Sequence, residues 1–135
     1  MKGKLLLAIL IVTLFAAVSL SAKSFPLAAG PTNPAATGKV GIGNDKNGNI
    51  EVTIKTEHLA KPAMLTPPAN TYVVWFKDSS GEAINQGQLK VGDKLKGEFK
   101  TTTHLQNFEV FITAENDPNT KVPSDRVVLK GNVQA

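Results

Sequence analysis

The sequence contains no cysteine, one tryptophan, one tyrosine and a single arginine among its 135 residues. Without cysteine the chain cannot form disulfides, thiolate metal sites, thioether-linked haem or a lipid anchor on a processed cysteine. One arginine and scattered lysines provide no guanidinium cluster for phosphate groups, although the calculated pI is near 9.4. We therefore expect no nucleic-acid partner.

The chain also has no apolar run as long as the roughly 20 residues that a membrane-spanning helix needs. Its longest run, residues 5–20, follows two lysines and leads into small residues at Ser19, Ser21 and Ala22. This layout is typical of a secretory signal peptide. We predict a signal peptide over residues 1–22, cleaved after Ser21 or Ala22, and hence a bacterial protein exported to the periplasm or the medium. An uncleaved signal anchor in the membrane is the alternative.

Residues 23–37, KSFPLAAGPTNPAAT, have three prolines and show neither a helical nor a strand period. Because proline cannot donate to a ladder, we predict a Pro-rich flexible lead-in here. The alternative is a donor strand that pairs with the sheet of a neighbouring molecule, which would make the protein a homo-oligomer.

Apolar and polar residues alternate along much of residues 38–135, and turn-forming residues separate the alternating segments. Asn47-Gly48 is a strong hairpin signal, since both residues tolerate positive φ. Short alternating strands between such turns are typical of an antiparallel sandwich. We predict an all-β, immunoglobulin-like antiparallel β-sandwich of about seven strands over residues 38–135. The predicted strands cover residues 38–43, 50–56, 71–77, 83–89, 95–100, 107–115 and 126–130.

The segment 71–77, TYVVWFK, is apolar on both faces, because Tyr72 and Trp75 point to opposite sides of a strand. We expect it to be a central strand that is covered on both sides, and we expect Phe111 to be buried in the same way. The alternative is an exposed apolar strip around Phe111 that marks a partner site.

The residues that could carry chemistry do not form a recognisable site. His58, Met64 and His104 could contribute to a copper site, but blue-copper centres need a thiolate and no paired histidine spacing is present. The NDKNGN turn, residues 44–49, lacks the glycine and glutamate positions of a calcium loop. We therefore predict no metal and no cofactor.

Two further groups of residues could carry chemistry but also fit ordinary surface roles. Calcium could bind the oxygens of Glu115, Asp117 and Asp125, although prolines and a lysine in that loop favour an ordered surface loop. The serines that could act as nucleophiles lie in turns outside any G-x-S-x-G context, and no glycosidase-like carboxylate pair is visible. We predict no catalytic residues and no enzymatic activity. These serines are Ser79, Ser80 and Ser124.

Two segments, TYVVWFKDSSGEAINQGQL and FEVFITAENDPNTKVPSDRVVLKGNV, resemble the extracytoplasmic carboxy-terminal domain of bacterial anti-sigma-K factors. The resemblance covers roughly residues 70–133, and its motifs are structural. It implies a stand-alone exported version of the family's sensor-like β-sandwich, without the sigma-binding and transmembrane parts. The matching positions are Tyr72 and Trp75, Gly87 and Leu89, Ala114 and Glu115, Pro118 and Pro123, and Val127, Val128, Leu129 and Gly131.

These observations together predict an exported non-enzymatic module that binds a protein or a cell-envelope component. The loops at residues 57–70 and 116–125 are the expected contact regions. The alternative function is a structural subunit of an extracellular assembly, joined by strand exchange through residues 23–37.

Overall fold

The computed structural model describes residues 23–135, so the predicted signal peptide lies outside the described residues. These residues form eight antiparallel strands in one nearly closed sheet, with a single 3-10 turn at Pro62–Met64 and no α-helix. The predicted all-β antiparallel fold is confirmed. The strands are β1 (Lys23–Ala29), β2 (Thr37–Asn44), β3 (Ile50–Glu57), β4 (Thr71–Lys77), β5 (Ala83–Leu89), β6 (Gly97–Thr103), β7 (Asn107–Glu115) and β8 (Val127–Gln134).

The sheet has the strand order β5-β4-β7-β8-β1-β2-β3-β6, and β1 joins its two halves. Residues 23–27 of β1 pair with β2, whereas Ala28 and Ala29 pair with β8. The two outermost strands, β5 and β6, form no ladder with each other within residues 23–135, and an isolated bridge joins Val91, just after β5, to Gly97 of β6. The sheet therefore nearly closes around one core and has a single seam.

The main differences from the predicted strands lie at β1, β6 and β8. Residues 23–29, placed in a flexible lead-in, form β1, and the sheet thus has eight strands rather than seven. The strand predicted from residue 95 begins at Gly97, because Leu95 has φ +60 and cannot continue an extended strand. The last strand continues past its predicted end at residue 130 as far as Gln134, and Gly131 lets β8 pass close to β1.

The strand β4 is buried on both of its faces, as predicted. Tyr72, Val74 and Phe76 belong to the main core inside the sheet. Val73 and Trp75 lie on the opposite face in a second apolar cluster with Phe111, whose ring stacks on Trp75 at a centroid distance of 6.2 Å. Phe111 is only 7% exposed, so the predicted two-sided burial is confirmed and no exposed strip exists there.

Among residues 23–135, no helix has the length and apolar character required to cross a membrane.

Candidate functional site: the loop end

Four loops lie at one end of the sheet. Because all neighbouring strands are antiparallel, β1, β3, β5 and β7 run in the same direction and the loop after each of them lies at the same end. We call this the loop end. It comprises residues 30–36, 58–70, 90–96 and 116–126, and the short turns at 45–49, 78–82 and 104–106 form the opposite, hairpin end.

The first two loops are tied together by one buried asparagine. The side-chain amide of Asn33 donates to the His58 carbonyl at 3.2 Å, and its oxygen accepts from the Ala60 amide at 3.0 Å. Asn33 is only 9% exposed, so both bonds form away from bulk water. A buried amide that uses both its donor and its acceptor fixes the two loops in one relative position.

Loop 58–70 is also tied to loop 90–96. The Leu59 amide donates to the Leu95 carbonyl at 3.1 Å. His58, which precedes the donor, and Leu95, which is the acceptor, have φ values of +55 and +60. Residues other than glycine rarely adopt this left-handed backbone conformation, so the surrounding contacts must stabilise it at both positions. Lys61 adds an ion pair to Asp93 at 2.7 Å, and this hydrogen bond lowers the pKa of the Asp93 carboxyl.

Tyr72 of β4 forms a hydrogen bond to loop 58–70 from the core side of that loop. The Tyr72 hydroxyl donates to the Ala60 carbonyl at 2.6 Å, and the residue is fully buried. Burial raises the pKa of Tyr72 to about 12, because the phenolate would lose its hydration.

The two loops proposed from the sequence as contact regions are in direct contact with each other. Asn70 donates from its side chain to the Asn116 carbonyl at 3.1 Å. Arg126, the only arginine of the chain, donates from Nη2 to the Pro67 carbonyl at 2.7 Å. Loops 58–70 and 116–126 therefore form one continuous surface.

A buried polar chain lies under loop 116–126. The Trp75 indole donates to the Thr113 hydroxyl at 2.8 Å, and that hydroxyl donates to a carboxylate oxygen of Glu115. The same oxygen accepts from the Ser124 amide at 2.8 Å. Since each polar atom in this chain has a partner, the second apolar cluster is closed by hydrogen bonds and not by apolar contact alone.

Asn85 on β5 fixes the tip of the same loop. Its side-chain amide donates to the carbonyls of Pro118 and Thr120 at 2.9 and 2.8 Å, and its oxygen accepts from the Gly87 amide. Loop 116–126 is thereby fastened at both its tip and its base.

The structure does not bring the predicted metal-binding candidates together. His58 and Met64 lie at the loop end, whereas His104 lies in the turn at the hairpin end. Within residues 23–135 no group of three or more histidine, aspartate and glutamate side chains is arranged to hold a metal ion. Asp45 in the NDKNGN turn accepts from the amides of Asn47 and Asn49, which is the bonding of a hairpin turn.

Four of the remaining candidate residues, two serines and two acidic residues, have structural partners. Ser80 donates to Asp78 in the turn after β4, and Ser124 donates from its hydroxyl to the Ala114 carbonyl at 2.9 Å. Asp117 accepts from the Asn119 amide, and Glu115 belongs to the buried chain described above. None of these bonds connects a serine hydroxyl to a histidine.

The most exposed large apolar side chains at the loop end lie in the two predicted contact regions, although the sequence predicts neither residue individually as a partner contact. Met64 is 68% exposed and Val122 is 74% exposed, and they lie on the two loops that contact each other. The sequence gives only a weak signal for them, because a lone apolar residue in a loop is as common in a core as on a surface.

Scans against protein-family models and against curated proteins find no match to this chain.

Proposed function

We propose that the protein is an exported, non-enzymatic β-sandwich module that binds a protein or a cell-envelope component through its loop end. The observation that carries this proposal is the set of hydrogen bonds that ties the four loops into one surface. Loops held in this way lose little conformational entropy when they bind a partner. Rigid scaffolds that present loops are also a common arrangement for recognition.

The exposed apolar residues support the choice of this end. Met64 and Val122 are two of the three large apolar side chains that are strongly exposed within residues 23–135. Exposed apolar groups on ordered loops are candidates for burial against a partner, since each would contribute about 2 kcal/mol when fully covered.

The proposed likeness to the anti-sigma-K sensor domain supports the fold more than the contact surface. Tyr72 and Trp75, which begin the resembling motif, are both fully buried. Most residues that carry the likeness would thus maintain the sandwich, and only Pro118 and Pro123 of them lie in loop 116–126 at the proposed contact surface. An immunoglobulin-like arrangement is part of the same proposal.

Site-specific photo-crosslinking in the producing bacterium tests this function. A photoreactive residue placed at Met64 or at Val122 should crosslink to one defined partner, whereas the same residue at exposed Lys46 in the hairpin end should not. The partner should also be lost when Met64→Ser and Val122→Ser are combined. Equal crosslinking from both ends of the molecule, or none from the loop end, would argue against the proposal.

Assembly by strand exchange through residues 23–37 is the second candidate, and one observation favours it. Leu27 of β1 fits between two glycines: a Cβ on Gly38 would lie 3.1 Å from one of its methyl groups, and a Cβ on Gly131 would lie 2.9 Å from the other. The absence of side chains at Gly38 and Gly131 thus leaves a gap that the leucine of a β1 strand fills. Residues 30–36, which follow β1, contain Pro31 and Pro34, and a stiff hinge favours exchange between copies.

Light scattering distinguishes the two functions. An oligomer that persists on dilution, and becomes rarer in a Pro31→Ala and Pro34→Ala variant but not in a Pro123→Ala control, would indicate exchange of β1. A monomer at millimolar concentration would leave the binding module as the function.

A further inference from the structure

The seam of the sheet is closed at one end and open at the other. At the loop end, the bridge between Val91 and Gly97 links the two edges, and a Cβ on Gly87 would lie only 3.2 Å from the Phe99 ring. Towards the hairpin end the edges diverge and leave a depression of about 360 Å³. We call this depression the wedge. Its lining includes Phe76, Asp78, Glu82, Ile84, His104 and Leu105.

The wedge lies between backbone edges that can still form hydrogen bonds. Within residues 23–135, β5 has a ladder partner only in β4, and β6 has one only in β3. Alternate N–H and C=O groups of an edge strand point away from its neighbour and can pair with one more strand. On β5 this edge is interrupted by a bulge and by Gly87 at φ +134, so the regular edge is that of β6.

The inner side of the wedge is apolar. Ile84 lies opposite Phe76 in the β4–β5 ladder and therefore points to the core side, yet it is 50% exposed because none of the strands between residues 23 and 135 covers it. Phe76 itself is buried and packs on Phe108 at a ring-centroid distance of 4.6 Å. Leu105 is partly buried at the same core edge. An aliphatic side chain that entered the wedge would thus contact the edge of the main core.

The rim of the wedge is acidic. Asp78 and Glu82 line it, and neither forms an ion pair with a lysine or arginine within residues 23–135; the nearby Lys77 pairs instead with Glu109 at 3.4 Å. Hydrogen bonds from the Ser80 hydroxyl and amide lower the pKa of Asp78, which keeps this carboxylate charged. His104 is the only other titratable residue of the lining.

We propose that the wedge binds an extended segment of a partner protein in which aliphatic and basic residues alternate. The segment would add to the free edge of β6, place its aliphatic side chains against Ile84 and Leu105, and place its basic side chains near Asp78 and Glu82. Alternation is required because successive side chains of an added strand point to opposite faces. This site lies at the opposite end from the loop end and does not depend on the function proposed above.

Peptide binding to the purified protein tests the proposal. The probe is a short peptide of alternating lysine and isoleucine, and its matched controls are a glutamate-isoleucine peptide, a lysine-serine peptide and a lysine-isoleucine peptide with alternate N-methylated amides. Fluorescence anisotropy should show binding of the first peptide only. Amide chemical-shift changes should be confined to the residues that line the wedge, residues 102–105 at the β6 edge among them.

Two exposed positions allow the contacts to be separated from folding. Glu82→Lys and Ile84→Ser should each weaken binding at least about tenfold, which corresponds to about 1.4 kcal/mol. Glu57→Lys at the loop end of β3 and Val122→Ser in loop 116–126 are controls that should leave binding unchanged. All four variants should unfold at temperatures close to that of the parent.

Several results would overturn the proposal. Equal binding of the glutamate-isoleucine or N-methylated peptide would exclude charge recognition or strand addition, respectively. Shift changes at the loop end would place the peptide elsewhere. A concentration-dependent dimer that Ile84→Ser abolishes would show that the edge serves a second copy of the chain.

Discussion

Two buried threonines should respond in opposite directions to the same substitution. Thr56 and Thr113 are both almost fully buried, at 1% and 0% exposure. The Thr56 hydroxyl is buried without a hydrogen-bond partner within residues 23–135, whereas the Thr113 hydroxyl links Trp75 to Glu115. Replacing threonine by valine exchanges a hydroxyl for a methyl group of similar size, so it isolates the hydrogen bonding.

The structure sets the size of each effect. Thr56→Val removes an unsatisfied buried hydroxyl and should stabilise the fold by about 1 kcal/mol. Thr113→Val removes the partner of the Trp75 indole and one of the partners of the Glu115 carboxylate. Since an unpaired buried donor costs roughly 1–3 kcal/mol and a bond to a charged group contributes a similar amount, we expect a loss of about 3 kcal/mol.

Urea unfolding followed by far-UV circular dichroism measures both changes, because this signal reports mainly the backbone of the sheet, whereas Trp75 fluorescence would respond directly to the loss of its hydrogen bond. An unchanged slope against urea would show that the difference lies in stability and not in the denatured state. Thr53→Val on the outer face of β3 is the matched control and should change stability by less than about 0.5 kcal/mol. If Thr56→Val destabilises the protein, or Thr113→Val costs no more than the control, the hydrogen-bond argument is wrong.

Three further outcomes are expected. Tyr72 is the only tyrosine, so its absorbance titration should give a pKa of about 12, compared with 10.0 in the unfolded chain. Because the pKa of Tyr72 is higher in the folded state, the contribution of the neutral phenol to stability is complete below pH 10.0 and is lost as the pH rises to about 12. A pKa near 10 in the folded protein would contradict the burial of Tyr72. Gly131→Ala should destabilise the fold by about 1–3 kcal/mol in urea unfolding, because the new methyl group would overlap β1, whereas Gly43→Ala, with nothing within 4 Å, should be neutral or slightly stabilising. Asn85→Ala should increase amide hydrogen exchange in loop 116–126 while β7 stays protected, and unchanged exchange would show that its two bonds do not hold the loop.

The sequence predicts the central part of the fold well, because the pattern of apolar and turn-forming residues is strong there. Segment 71–77 is apolar at every position from Tyr72 to Phe76, and the structure covers both faces as expected. The Asn47-Gly48 turn likewise connects β2 to β3. Alternation and turn chemistry are local properties, so they can be read without knowledge of distant contacts.

The strand β1 could not be predicted in the same way, because its proline argues against a central strand. Pro26 is tolerated since residues 23–27 pair only with β2, and the pairing with β8 begins at Ala28. At Pro26 the strand is thus locally an edge, where a missing N–H breaks no second ladder. Only the positions of both neighbours reveal this.

The candidate site shows the same division between local and distant information. Turn-forming composition was enough to select the loops at 57–70 and 116–125, but Asn33, Asn85 and Arg126 reach across 25 residues or more to fix them. The sequence does not predict the wedge, because the wedge depends on the separation of β5 and β6 in the folded sheet.

The pairing of β1 with β8 has a kinetic consequence. Ala28 pairs with Lys130, so the chain must close a loop of about a hundred residues before these two residues can come into contact. Contacts of such long sequence separation form late and slow the folding of β proteins. Until the last strand is available, β7 and β1 would each present an uncovered edge, and a chain that crosses a membrane from its N-terminus would complete its sheet only after its C-terminal residues had emerged.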